Sequence, residues 1–134
     1  MTQDNSLSGL QLAIMRVLWQ KDGATVAEVH GALRSDRGLA LTTIATVLSR
    51  LEKRGMLAHR TDGRQFVYRA LISEEAVRSS MVDELADLLF EGDVAELMSH
   101  LLAGRDFTSN DLSRVKSLIE AHEREEGEAP NDSD

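Results

Sequence analysis

The chain has 134 residues, 42% hydrophobic and 28% charged, with 15 Lys+Arg against 23 Asp+Glu and a formal charge of -8. That length holds one domain, or a small domain with an appendage whose apolar face needs a partner. The absence of Cys excludes a disulfide framework, a thiolate metal site and a Cys nucleophile, and it fits a reducing compartment, so a cytoplasmic location is expected.

The opening MTQDNSLSGL has no basic stretch followed by an apolar run, and no apolar run approaches the roughly 20 residues that cross a bilayer. Neither a secretion signal nor membrane insertion is expected. Ser8, with Gln11 three residues on, has capping-box spacing, and Leu10, Ile14, Val17 and Leu18 follow at helical intervals. This first helix ends near Asp22-Gly23, and Trp19 on it reads as a core anchor. A second helix opens at Thr25, again with a capping box to Glu28, buries Val26, Val29 and Leu33, and stops between Ser35 and Gly38.

The third helix, LTTIATVLSRLEKR over Leu41 to Arg54, divides into two faces at about 100° per residue. Ile44, Val47, Leu48 and Leu51, with Leu41 a turn earlier, form a core face. Thr42, Thr46, Ser49 and Lys53 lie opposite, with Thr43, Arg50 and Arg54 on one shoulder, and Gly55 is the C-cap. The period then changes. LAHR and QFVYRAL are short runs separated by TDG, and Asp-Gly between such runs predicts a two-stranded hairpin bearing Arg60, Arg64 and Arg69.

From Ser73 helical period returns in three helices, each expected to be amphipathic. One, from Ser73 to Phe90, carries Val77, Met81, Leu85 and Leu88. The next, capped by Asp93 and Glu96, carries Val94, Leu97, Met98, Leu101 and Leu102. The last, from Thr108 to Asp111 onward, carries Leu112, Val115, Leu118 and Ile119. The end, EREEGEAPNDSD, is acidic, holds the only Pro and is expected to be disordered.

Three short helices followed by a hairpin are the order of a winged helix-turn-helix. The expected fold is therefore mainly α with a small β-hairpin: a winged domain over residues 1–72, a helical dimerisation region over 73–122 and a tail over 123–134. Charge divides along the same line. Residues 1–72 carry 10 basic and 6 acidic residues, and residues 73–134 carry 5 basic and 17 acidic. From Arg37 to Leu51 there is no Asp or Glu.

A helix that approaches phosphates must shed carboxylates, because each would be desolvated against like charge. Hydroxyls of Thr and Ser serve phosphates or base edges, and Arg can fork onto guanine. A hydroxyl-rich helix face or a few surface arginines alone are each also consistent with plain solvation. Their joint arrangement points to double-stranded DNA, with Thr42, Thr43, Thr46, Ser49, Arg50, Lys53, Arg54, Arg60 and Arg64 as the contact set. A winged-helix module that docks another protein through the same surface is the alternative.

His30, His59, His100 and His122 are dispersed, without the close pairing of a helical zinc motif, and read as ordinary surface or half-buried histidines. No metal, cofactor or catalytic activity is expected, since nothing supplies a nucleophile with a positioned base.

LTTIATVLSRLEKRGML followed by DGRQFVYRALIS, preceded by IMRVLW and ATVAEVHGAL and followed by LLFEGDVAELMSHLL, resembles the penicillinase and methicillin-resistance repressors (BlaI/MecI). Copper-responsive (CopY-type) repressors are related to these. The motif T-x-x-T-x-x-x-R-L, the wing and the F-x-G-D joint occur in the right order, and the resemblance spans residues 7 to 122. It implies a homodimeric repressor of β-lactamase-type or related stress-response genes on a dyad-symmetric operator.

The recognition pattern falls on Thr43, Thr46 and Arg50, with Lys53 and Arg54 near phosphates and the wing on Asp62 to Gln65. The resemblance further implies that the C-terminal helices interlock two chains and that a membrane sensor protease pathway releases the repressor. Two departures stand out. The copper-binding Cys cluster is missing, and the Asn-Phe bond cleaved in staphylococcal-type repressors is His100-Leu101 here.

Overall fold

The computed structural model describes residues 6–104 and 106–128. Helix α1 spans Gly9–Gln20 and opens on a reciprocal cap: the Gln11 amide donates to Ser8 Oγ at 3.2 Å, and the Ser8 amide to Gln11 Oε1 at 3.0 Å. Helix α2, Val26–Arg37, repeats the device with Thr25 and Glu28 at 3.1 and 2.9 Å. Hydrogen bonds from the Thr25 backbone and hydroxyl hold the Glu28 carboxyl below the ordinary carboxylate range. This cap therefore contributes above the ordinary pKa and is lost as pH falls through the lowered one.

Helix α3, Leu41–Lys53, begins at Ala40 without a side-chain cap. Its end is firmly closed. Gly55, at φ 81°, donates to the Glu52 carbonyl at 2.9 Å, and Met56 donates to the Leu51 carbonyl at 3.1 Å. These are the two bonds of a Schellman motif, and the buried Met56 and Leu51 supply its apolar contact.

The sheet has three strands rather than the two expected. Strands β2 (Leu57–Asp62) and β3 (Gln65–Ala70) form the hairpin, and β1 (Ala24–Thr25) pairs antiparallel with β3, Ala24 opposite Tyr68. A strand of two residues has no alternation to detect. Asp62 pairs with Gln65, so the hairpin loop is Gly63–Arg64 rather than Asp-Gly. The positive φ falls on Gly63 alone, at 64°, the pattern of a type II′ turn.

The chain divides into two compact units after Leu85. The core of the first gathers Ile14, Met15 and Leu18 from α1, Val29 and Leu33 from α2, Ile44, Leu48 and Leu51 from α3, and Met56, Leu57 and Tyr68 around the hairpin. Leu41, expected in that core, is 48% exposed at the first position of α3. Trp19 is partly buried, and its indole Nε1 donates to the Ile72 carbonyl at 2.9 Å, tying α1 to the end of the wing.

Helix α4, Glu74–Phe90, opens with the Ala76 amide donating to Ser73 Oγ at 3.0 Å. Val77 is 2% exposed and Met81 packs beside it, both within the core of the first unit. Burial removes Val77 from the expected dimerisation set, and the first unit runs to Leu85 where Ile72 was expected as its end. Periodicity along a helix cannot say which chain covers a stripe. Nor are the apolar residues of α4 confined to one face, since Val82 and Leu89 lie outside the stripe of Leu85 and Leu88.

In the second unit, the Glu96 amide donates to Asp93 Oδ1 at 3.0 Å at the start of α5 (Val94–Gly104). Thr108 and Asp111 cap α6, Ser109–Glu128, reciprocally at 3.0 and 3.2 Å. The helix continues six residues beyond 122, through part of the stretch expected to be disordered. A polar surface does not prevent helix where Glu and Arg predominate, and His122 lies 3.5 Å from Glu126 one turn on. The remainder of the expected tail, 129–134, lies outside the described residues.

Because Val77 is buried and Leu71 is 51% exposed, Val77→Ala is expected to lower unfolding free energy by about 1.5 to 3 kcal/mol, while Leu71→Ala stays within about 0.5 kcal/mol. Denaturant unfolding of the two variants checks this, and equal effects would contradict the assignment of α4 to the core.

Candidate nucleic-acid interface

Helix α3 is anchored by three fully buried side chains, Ile44, Leu48 and Leu51, with Val47 partly buried beside them. That anchorage orients the opposite side. Thr42, Thr46, Ser49, Arg50 and Lys53 are exposed there, and Thr43 is half-buried on the shoulder. Thr46 Oγ1 donates to the Thr42 carbonyl at 3.0 Å, which leaves its methyl and oxygen lone pairs facing outward.

Arg54 is placed differently from the rest of the expected set. Its Nη2 donates to the Ser6 carbonyl at 2.9 Å, so the guanidinium holds the chain before α1 instead of extending toward a phosphate.

On the hairpin, residues directly opposite share a face. Leu57 with Ala70, His59 with Tyr68 and Thr61 with Phe66 form the face toward α3; Ala58 with Arg69, Arg60 with Val67 and Asp62 with Gln65 form the other. Arg60 and Arg69 are exposed on that second face, and Arg64 is exposed at the turn. The structure thus brings the hydroxyl face of α3 and the arginines of the hairpin onto one unit, while the acidic helices α5 and α6 belong to the other.

One side-chain pairing beside α3 has no signal in the sequence. Glu52 is the sole acid of α3, and both its oxygens accept from His59 Nδ1, at 2.6 and 2.8 Å. The His59 ring stacks on Phe66 with centroids 4.1 Å apart, and it lies tilted against Tyr68 at 5.6 Å. Burial, and after it the charge of Glu52, pushes the Tyr68 phenol above its ordinary value. Glu52 and His59 lie seven positions apart on different element types, and only the hairpin register would have revealed their meeting.

His30 is also engaged, its Nε2 donating to the Leu39 carbonyl at 2.7 Å. Among the described residues no group of three His, Cys, Asp or Glu side chains is placed to hold a metal ion.

A match to the penicillinase repressor family model covers residues 7–121, from the segment before α1 into α6. The chain belongs to this family. Its members are transcriptional repressors, and in it α1 to α3 with the hairpin make up a winged helix-turn-helix. The transcriptional regulator BlaI of Mycobacterium tuberculosis is 35% identical over 119 residues, 86% of this chain and 86% of that protein. The penicillinase repressor of Bacillus licheniformis is 25% identical over 122 residues, 91% of this chain and 95% of that protein. The solution structure of the DNA-binding domain of the repressor BlaI superposes with a TM-score of 0.49 at 35% identity, over 55% of this chain and 90% of that one.

The engagement of Arg54 with Ser6 separates it from the exposed polar residues of α3. Arg54→Met is expected to cost about 1 kcal/mol of stability through the lost bond to Ser6, with little change in affinity for a nucleic acid. Paired unfolding and binding measurements check this, and a large loss of binding at unchanged stability would return Arg54 to the contact set.

Proposed function

We propose that this chain represses transcription in the cytoplasm as a homodimer on a dyad-symmetric DNA operator, each copy laying α3 in the major groove and its hairpin on the flanking backbone. The observation that carries this reading is the exposed face of α3. It presents Thr42, Thr46, Ser49, Arg50 and Lys53 without a carboxylate, in a chain whose formal charge is -8. Arg50 supplies the base-reading fork, Lys53 a phosphate contact, and Arg60 and Arg64 grip the backbone beside the groove. Family membership supports the same assignment.

Dimerisation is supported by what the helices of the second unit leave uncovered. Leu88 and Leu118 are 73% and 67% exposed, and Leu89, Val94, Met98, Leu101, Leu102, Leu112 and Ile119 are exposed with them, while Val115 is partly so. Exposed apolar surface on this scale marks an interface. A second copy supplies an equally apolar cover and links two half-sites, so that each DNA contact raises the effective concentration of the other.

The genes controlled are of the β-lactamase or related stress-response kind, by family. Release uses something other than cleavage at an Asn-Phe bond. The corresponding His100-Leu101 lies inside α5, with His100 against the Phe90 ring at 5.8 Å, so a protease would meet neither the required side chains nor an extended backbone.

Duplexes selected from a random pool provide the test. Arg50→Ala is expected to weaken binding by about 1 to 3 kcal/mol and relax preference at one position, while Lys53→Ala weakens all sequences alike and reduces the salt slope by about one. Unchanged affinity in both variants would remove α3 from the interface and leave the winged unit as a protein-docking module.

In equilibrium sedimentation, the full chain is expected to form dimers and a chain ended after Leu85 to be monomeric, binding a full operator far more weakly. A stable dimer of the shortened chain would refute this placement of the dimer contacts.

A further inference from the structure

The acid-free face of α3 ends at a conspicuous exception. Glu52 is the sole carboxylate between Arg37 and Arg60, and it sits next to Lys53, one turn beyond Ser49 and about 60° around the helix from it. A carboxylate there stands within about 10 Å, the Debye length at moderate salt, of any phosphate that Ser49 or Lys53 touches. Left alone, it would oppose the docking that the rest of α3 favours.

His59 meets that carboxylate at 2.6 and 2.8 Å. The imidazole stacks on Phe66 and lies tilted against Tyr68, and the pair remains about one-third exposed, at 30% for His59 and 31% for Glu52. Solvent protons therefore reach it. The titratable groups facing His59 are few: Glu52 from α3 and the Tyr68 phenol from β3, while Arg60, Asp62 and Arg69 occupy the opposite face of the hairpin. Tyr68 ionises only above its ordinary range and so carries no charge near neutrality.

We propose that His59 is the counter-ion that makes Glu52 compatible with bound DNA, so that affinity depends on the protonation of this pair. The inference rests on the DNA-binding reading of α3. With His59 protonated, Glu52 and His59 sum to zero charge beside the groove. Once the imidazole loses its proton, a net negative charge remains one turn from Ser49, and the phosphates repel it. The wing thereby acts as the neutralising arm of α3 as well as a backbone contact.

The full chain is tested with one duplex selected from a random pool by the unaltered protein, at fixed salt, at about pH 6 and about pH 8, on either side of the ordinary imidazole range. The unaltered protein is expected to bind roughly three- to tenfold more weakly at the higher pH. His59→Gln should bind weakly at both, because Glu52 is then never neutralised. Glu52→Gln should bind more tightly than the unaltered protein at both, because the carboxylate is gone, and the double variant should bind alike at the two pH values because both charges are gone. His30, His100 and His122 are present in all four proteins and contribute a common background.

Parallel weakening of His59→Gln and Glu52→Gln would overturn the proposal, leaving the pair as a brace for the wing. A full pH response surviving in both single variants would overturn it as well. If the unaltered protein selects no duplex at either pH, the DNA-binding reading fails and this inference with it. That result is distinct from binding that is merely insensitive to the pair.

Discussion

Repulsion between carboxylates and the phosphate backbone is the constraint around which this chain is arranged. An acidic protein can approach a polyanion only by segregating its charge, and the segregation here runs at two scales. Along the chain, residues 73–134 hold 17 of the 23 acids. Around α3, the exposed face carries hydroxyls and two cations, and its one nearby acid is occupied by an imidazole from the wing. Both scales bear on one helix face a little over three turns long.

Segregating charge is useless unless the face is held still, and the holding is done by apolar burial and closed helix ends. Ile44, Leu48 and Leu51 are fully buried, and truncating any of them to Ala would cost on the order of 2 to 5 kcal/mol. The Schellman bonds of Gly55 and Met56 then turn the chain directly into β2, so that the hairpin starts from a fixed point at the end of α3. Trp19 fastens the far end of β3 through Ile72, and Arg54 fastens the segment before α1 through Ser6. Thr46 gives its proton to the backbone, which leaves its methyl as the group it can offer a thymine.

What the sequence disclosed was governed by range. The caps of α1, α2 and α5 are legible because each joins residues three apart, and the division of α3 follows from its 3.6-residue period. Strand β1 was not legible, since two residues show no period and their pairing with Tyr68 and Val67 crosses more than forty positions. Val77 and Met81 sat on a true apolar stripe whose cover proved to be their own domain. The helical continuation through Glu128 leaves no trace in hydrophobicity, because propensity and burial are separate quantities. In the site itself, Thr42, Ser49, Arg50, Lys53, Arg60 and Arg64 were placed on exposed surfaces as pattern suggested. The engagement of Arg54 and the pairing of Glu52 with His59 are tertiary contacts that no local pattern encodes.

The central claim, that α3 and the hairpin form the surface offered to DNA, is tested most directly by following backbone amide resonances of the full chain during titration with a selected duplex. The account predicts the largest shifts from Thr42 to Lys53 and from Arg60 to Arg64, with the amides of α5 and α6 nearly unmoved. Shifts concentrated in α5 and α6, with α3 silent, would contradict it.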